Sequence, residues 1–202
     1  FSYTGFIPQT GIFFWGKNEG MCGIMGNMKK GVCHICCADC GLKLVHALEK
    51  ENYCTLSDVT LLFDNPNIHP ENEFRARQKA VVDIFADFPG TLVVANWEPE
   101  RYFSKIRQKQ ELLRGKFDVW KREDRCPVCW TVRLSAAFAY AKDHECSFVT
   151  TTLVTSQYQD TNTVRAIGEA LARETGIEFI VPKGIDQCEV TKGFYKQNYC
   201  GC

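Results

Sequence analysis

Residues 59–95, VTLLFDNPNIHPENEFRARQKAVVDIFADFPGTLVVA, hold two β-branched and apolar runs, Val59–Phe63 and Thr91–Ala95, on either side of a segment where Phe74, Val81, Ile84 and Phe88 recur at helical spacing. Runs that are apolar nearly throughout read as strands buried on both faces, and the period between them is that of a helix with one buried stripe. The same alternation extends outward. A fainter run ends just before Cys36, and further runs occupy Ser147–Thr152 and Ile177–Val181. Helical patterns lie at Cys129, Val132, Ala136 and Ala139, and at Val164, Ile167 and Leu171. Strand alternating with helix predicts an α/β domain, a mostly parallel sheet covered by helices on both faces, with ligand sites at the carboxyl ends of the strands. Residues 31–202 are read as that single domain. Residues 1–30 are read as an N-terminal extension, whose Ile12–Trp15 must pack somewhere. The chain has no internal repeat, low-complexity tract or long Gly/Ser linker that would mark a second domain.

With 202 residues and 45% hydrophobic content, the chain can bury a core without covalent staples. Its twelve cysteines are about 6% of the chain, below the level of short disulfide scaffolds, and they cluster at ligand-like spacings. A reducing, cytoplasmic setting follows as an expectation. No apolar run approaches the roughly 18 residues of a membrane span, so no membrane is expected as a partner. Formal net charge is zero, yet residues 101–125 carry nine basic side chains against four acidic ones, a local +5. Tyr102, Phe103, Phe117 and Trp120 are interleaved there, a mixture suited to phosphate contacts beside stacking on unpaired bases. A solvated helical surface has the same composition.

Three cysteine pairs carry the chemistry: Cys36-Cys37, Cys126-Pro-Val-Cys129 and Cys200-Gly-Cys202. Thiolates that converge on one centre select zinc, copper(I) or an iron-sulfur cluster. Neighbouring Cα atoms stand about 3.8 Å apart, short of the roughly 4.4–6.8 Å of a disulfide, which disfavours a Cys36–Cys37 bridge. Cys126 and Cys129 are expected to open a helix, with both thiols on one face near the positive end of its dipole. That pair is equally compatible with a redox disulfide, half a zinc knuckle or two buried thiols. Residues two apart with a glycine between them, as in Cys200-Gly-Cys202, can reach disulfide range and pass electrons, or can simply end an inert tail. Cys40 and Asp39 lie within a turn of Cys36, near enough to reach an adjacent metal. Cys22, Cys33, Cys54, Cys146 and Cys188 lack a paired spacing and read as buried small side chains. The histidines His34, His46, His69 and His144 form no metal-binding H-E-x-x-H. Gly20, Gly23 and Gly26 match neither a dinucleotide fingerprint nor a phosphate loop, and no G-x-S-x-G elbow occurs.

Taken together, His34-Ile-Cys-Cys-Ala-Asp-Cys40, Asn65-Pro-Asn-Ile-His-Pro70 with Glu73-Phe-Arg-Ala-Arg77, Arg125-Cys-Pro-Val-Cys129 with Arg133-Leu134, Thr150-Thr-Thr-Leu153 and Gln197-Asn-Tyr-Cys-Gly-Cys202 resemble the QueH family of epoxyqueuosine reductases. The resemblance runs from about residue 31 to the end. It implies the last step of queuosine synthesis, in which an epoxide on the modified wobble base of a tRNA is reduced to a cyclopentene with loss of water, without cobalamin. It implies a Rossmann-like, nucleotide-hydrolase-type α/β fold, a four-iron, four-sulfur cluster on Cys36, Cys37, Cys126 and Cys129, and a redox-active pair at Cys200 and Cys202. A further iron is allowed beside the cluster, with Asp39 and Cys40 as candidates. An iron there would polarise the epoxide oxygen while electrons arrive from the cluster or from an unidentified donor. Proton donors are sought among His69, Asp39 and the terminal thiols. Asn65, Asn67, Thr151, Thr152, Ser156 and Gln159 are the candidate base or ribose contacts, the last four lying where they could instead cap the following helix. Two departures stand out: Ala38-Asp-Cys40 where Ala-Pro-Cys is common, and Trp97-Glu-Pro-Glu100 where a Tyr-Asp pair is usual. A zinc-stabilised RNA-binding module and a cluster-free thiol-disulfide oxidoreductase are the rival readings of the same cysteines.

Overall fold

The computed structural model describes residues 29–155, 158–183, 195, 197 and 199–201. Of the expected features, most of the extension at 1–30, together with Cys22, Ser156, Cys188 and Cys202, lies outside the described residues. In chain order the elements are β1 (Gly31–His34), α1 (Ala38–Lys50), β2 (Val59–Phe63), α2 (Glu71–Ile84), β3 (Thr91–Val94), α3 (Glu100–Leu113), α4 (Arg122–Asp143), β4 (Phe148–Thr151), α5 (Thr161–Thr175) and β5 (Glu178–Phe179). The strands form one sheet in the order β3-β2-β1-β4-β5, and every pairing is parallel. The α/β expectation holds, with a wholly parallel sheet.

Alternating side chains send the strands' apolar groups to two helical layers. Cys33, Leu61, Phe63 and Phe148 pack with Leu44 and Leu48 of α1 and Phe74 and Val81 of α2. Val32, Leu62 and Val149 face the other way, onto Ala137, Phe138 and Ala141 of α4. α3 and α5 both pack on α4. Among the described residues no helix is long and apolar enough to cross a membrane.

Strand order places a switch point beside β1. From β1 the chain crosses through α1 to β2 on one side, whereas it returns from β3 through α3 and α4 to β4 on the other. The carboxyl ends of β1 and β4 therefore face a crevice that neither crossover covers, the position where open α/β sheets bind ligands. These two strands are buried along their whole length, including the polar His34, Thr150 and Thr151 at those ends.

Local chemistry sets the helix limits. Asp160 caps α5 by accepting from the N–H groups of Asn162 and Thr163, and Gly176 ends it at φ 75°. α4 begins at Arg122, not at Cys126, with Glu123 and Asp124 in its first turn, where acidic side chains oppose the positive dipole end. Cys126 and Cys129 are thus a turn further in than the sequence predicts. α1 and α3 form as well, although no apolar stripe had been assigned to either.

Gly31 is required by close approach: a Cβ there would stand 1.9–2.2 Å from ring atoms of Phe148, and that ring is itself fixed edge-on to Tyr53. Gly31→Ala should therefore lower unfolding free energy by about 1–3 kcal/mol, as overpacking does, in a urea titration followed by far-UV circular dichroism. Adding Phe148→Leu should recover part of that loss, and simple additivity of the two losses would disprove the contact.

Candidate metal and redox site

Three thiols meet where β1 ends. Ile35 extends the β1 ladder by donating to Leu62 O at 2.9 Å, and Cys36 follows at the crevice. Its N–H donates to Thr152 Oγ1 at 3.0 Å, and the Thr152 hydroxyl lies 3.3 Å from Cys36 Sγ. Cys37 caps α1 in an extended conformation, and Cys40 falls in the first turn of that helix. This abrupt change from strand to helix folds the chain back on itself, and the sulfurs of Cys36, Cys37 and Cys40 all lie within 4.8 Å of one another. No disulfide joins the vicinal Cys36 and Cys37. Sulfurs bound to one tetrahedral ion through bonds of about 2.3 Å stand about 3.8 Å apart. The three thiols need only small movements to close on a soft metal.

Electrostatics distributes one negative charge over this group. Cys36 is held well below the usual thiol range by hydrogen bonds from Cys37 and Cys40, helped by Arg133 and Thr152. Cys37 is pushed up to about 12, chiefly by its hydrogen bond to Cys36. Cys40 is raised by Cys36 and then by Cys37. A bound cation would lower all three, since thiolates are the metal-binding form.

Arg133 of α4 is the cation facing these thiols, and it is only 2% exposed. Nη2 donates to Asn65 Oδ1 at 2.7 Å, Nε to His34 Nε2 at 3.3 Å, and Nη1 lies 3.9 Å from Cys129 Sγ. Because His34 accepts through Nε2, its proton sits on Nδ1 and donates to Thr151 Oγ1 at 2.8 Å. Burial, with Arg133 adding to it, takes the His34 pKa down to about 3, so the imidazole is neutral. Asn65 uses the other end of its amide on Ile35 O at 2.9 Å. No carboxylate pairs with Arg133 among the described residues. Its charge acts instead on Cys129, Cys36 and Cys200. A buried guanidinium with neutral hydrogen-bond partners requires negative charge nearby, and a thiolate-ligated metal centre fits that requirement. Cys126 and Cys129 are buried across the crevice, and Cys129 is pushed up to about 12 by burial. They are not part of the close three-thiol group, but both lie within the electrostatic reach of Cys200.

The C-terminal tail reaches the same crevice. Arg77, buried in α2, is held by Glu73 at 2.6 Å and donates to two successive carbonyls, Tyr199 O at 3.2 Å and Cys200 O at 3.0 Å. Tyr195 OH bonds the second Glu73 oxygen, and His69 N–H donates to Gly201 O at 2.7 Å. Gly201 sits at φ 106°, and a Cβ there would meet the Arg77 guanidinium at 2.9–3.1 Å. The glycine is needed on both counts. Cys200 Sγ then lies 3.0 Å from Gln159 Nε2, whose Oε1 accepts from Trp130 Nε1 at 2.5 Å. Cys36, Asp39, Cys40, Gln159, Tyr199 and Cys200 are among the residues that line one cavity of about 350 Å³.

The structure thus gathers Cys36, Cys37, Cys40, Asp39, Gln159 and Cys200, with Thr152 supporting Cys36. Asp39 pairs with Lys43 at 3.3 Å. Asn65 and Thr151 hold Arg133 and His34 in place from the buried side. Asn67 is buried, and neither of its amide atoms has a hydrogen-bond partner among the described residues. His69 lies beside the tail, its ring against Phe103 and Trp97 and its pKa lowered by burial. The two arginines had been given no role from sequence. A signal was present: Arg133 is four and seven residues beyond Cys129 and Cys126, on one helical stripe, and Arg77 is four residues beyond Glu73.

Residues 32–202 match the family model described as epoxyqueuosine reductase QueH. A Dehalococcoides mccartyi protein named Epoxyqueuosine reductase QueH is 27% identical over 176 residues, which span 84% of this chain and 88% of that protein. Proteins of the same name from Thermotoga maritima and Helicobacter pylori are 27% and 29% identical over 84% of this chain. The match covers 86% of the former but only 47% of the latter, so the chain spans about half the length of the Helicobacter protein.

Gly201→Ala should release the tail from Arg77. In reduced, metal-free protein, alkylation of Cys200 by iodoacetamide, read by peptide mass spectrometry, should become at least about fivefold faster, the effect of losing roughly 1 kcal/mol of holding energy. Labelling of Cys33 in the same sample reports whether the core has opened. An unchanged Cys200 rate would mean that the clamp does not hold the tail.

Proposed function

The chain belongs to the QueH family of epoxyqueuosine reductases, which are oxidoreductases, and from that premise we propose that it converts epoxyqueuosine at the wobble position of a tRNA to queuosine in the cytoplasm. The reaction removes the epoxide oxygen as water and leaves a carbon–carbon double bond, so it consumes two electrons and two protons. Closing a Cys200–Cys202 dithiol to a disulfide would supply both. A separate low-potential donor must then restore the dithiol.

Cys36, Cys37, Cys126 and Cys129 are the proposed ligands of a four-iron, four-sulfur cluster, and Cys40 with Asp39 the proposed site for a further iron. Such a centre supplies one-electron transfer and a Lewis acid toward the epoxide oxygen. The protein's own groups do the rest. Arg133 balances the anionic sulfur ligands. Gln159 and the Arg77 clamp keep Cys200 at the cavity, and Asp39 is positioned at its wall to pass a proton to the departing oxygen. His69 is retained as a second proton donor that would act through the tail. Thr152, Ser156, Gln159 and Asn67 are the proposed contacts to base and ribose, with Thr151 and Asn65 acting through their buried partners. The observation that supports this reading most directly is that Cys36, Cys40 and Cys200 border one cavity. Chemistry at the thiol group and electron delivery from the tail can thus meet on one bound base.

Anaerobically purified protein should contain iron and acid-labile sulfide and show a broad visible absorption that dithionite bleaches. Nucleoside mass spectrometry should then find queuosine after incubation with epoxyqueuosine tRNA and a reductant. Zinc without iron or sulfide would sink the proposal and favour a structural metal. Arg133→Met should lower the midpoint potential of the centre, by about 60 mV for each 1.4 kcal/mol of lost one-electron stabilisation, in an EPR-monitored titration.

A further inference from the structure

The loop joining α3 to α4 holds an indole out in solvent. Trp120 is 85% exposed, and its position is imposed by the backbone. Trp120 N–H donates to Asp118 Oδ1 at 3.0 Å, Asp118 N–H to Asp124 Oδ2 at 2.9 Å, and Lys121 N–H to Asp118 O at 2.9 Å. Arg125 Nη1 donates to Val119 O at 3.2 Å. Phe117 anchors the loop from inside, packed with Tyr102, Ile106 and Cys129. Of the four aromatic residues in the basic segment, Tyr102 and Phe117 are therefore core residues and cannot stack on a base. Trp120 and the partly exposed Phe103 can.

Charge around Trp120 is predominantly positive, with Glu123 the one exposed acidic side chain between residues 114 and 125. Arg114, Lys116, Lys121 and Arg122 are all exposed, while Asp118 and Asp124 are engaged with the loop's own N–H groups. Arg122 donates to the carbonyl of Tyr158, and Tyr158 lines the thiol cavity. Cys126 lies about 6 Å along α4 from its first residue, Arg122, and Trp120 stands two residues before that start. A few nucleotides of single strand cover that distance.

We propose that Trp120 stacks on an unpaired base of the substrate RNA next to the base held in the cavity, while Lys116, Lys121 and Arg122 contact the adjoining phosphates. An exposed indole on a hydrogen-bonded loop amid cations fits an RNA loop better than a protein or a membrane. Stacking tolerates any base, and the phosphates supply the complementary charge. The assignment rests on the tRNA-reductase reading above and names the surface that serves it.

The test is equilibrium binding of an anticodon stem-loop RNA to the metal-loaded full chain, across a salt series, with tryptophan fluorescence read in parallel. Trp120→Ala should weaken binding about tenfold with an unchanged salt slope and should abolish most of the fluorescence quenching seen on RNA addition. Trp120→Phe should stay within about threefold of wild type. Lys116→Gln with Lys121→Gln should weaken binding and reduce the salt slope by roughly two. A duplex of equal length, with no unpaired bases, should bind equally to wild type and Trp120→Ala. Tight wild-type binding that Trp120→Ala leaves intact would overturn the surface assignment alone. No wild-type binding to the stem-loop would overturn the tRNA reading with it.

Discussion

Arg133 turns its nitrogens to a neutral imidazole, an amide oxygen and a cysteine sulfur inside the protein, and no carboxylate is paired with it among the described residues. Removing a guanidinium from water costs several kcal/mol unless negative charge is close by. Among the described residues, that charge comes from sulfur. The constraint reaches outward in two directions. It requires His34 to remain neutral, which is why Thr151 at the end of β4 accepts from the ring, and it requires Asn65 to present its oxygen, which Ile35 O secures by taking the amide N–H. Residues from β1, β4 and the loop after β2 are thus committed to holding one cation against the thiols.

Topology makes this arrangement possible. The parallel order places the ends of β1 and β4 side by side with their crossovers leaving in opposite directions, so Cys36 and Thr152 meet where no helix intervenes. α4 then lies over β1 from the other face, bringing Arg133, Cys129 and Cys126 to the same end. The tail closes the remaining side. Each contribution comes from a distant part of the sequence, and only the sheet order brings them into one cavity.

The alternation of strands and helices was legible because β2, β3 and β4 are short apolar runs that few other structures would bury. β1 read faintly for a physical reason: its four residues begin with Gly31, kept small by Phe148, and end with His34, kept polar by Arg133. The start of α4 was misplaced because Pro127 resembles the proline of a first helical turn, whereas it lies one turn inside the helix. Spacing also grouped the thiols by sequence pairs. The backbone groups them differently. Cys37 and Cys40 are themselves a C-x-x-C that opens α1, and this repeat of the Cys126/Cys129 spacing brings Cys40 into the close group with Cys36.

The two buried arginines show how a structural cation is distinguished from a functional one. Arg77 has its carboxylate, Glu73, one turn away, and its remaining donors end on main-chain carbonyls that do not change during a reaction. Its charge is settled whatever the metal or the thiols do, so its part is to hold the tail. Arg133 faces thiols, whose charge changes when they lose protons and would change again on binding a metal. A fixed positive charge in a low-dielectric site favours whichever state of those groups is more negative. It therefore biases them toward thiolate and would bias a proposed centre toward reduction, both of which the proposed chemistry needs. Placing the carboxylate-paired arginine on the tail, and the one with no carboxylate among the described residues beside the thiols, would let the tail stay held whatever the state of the proposed centre.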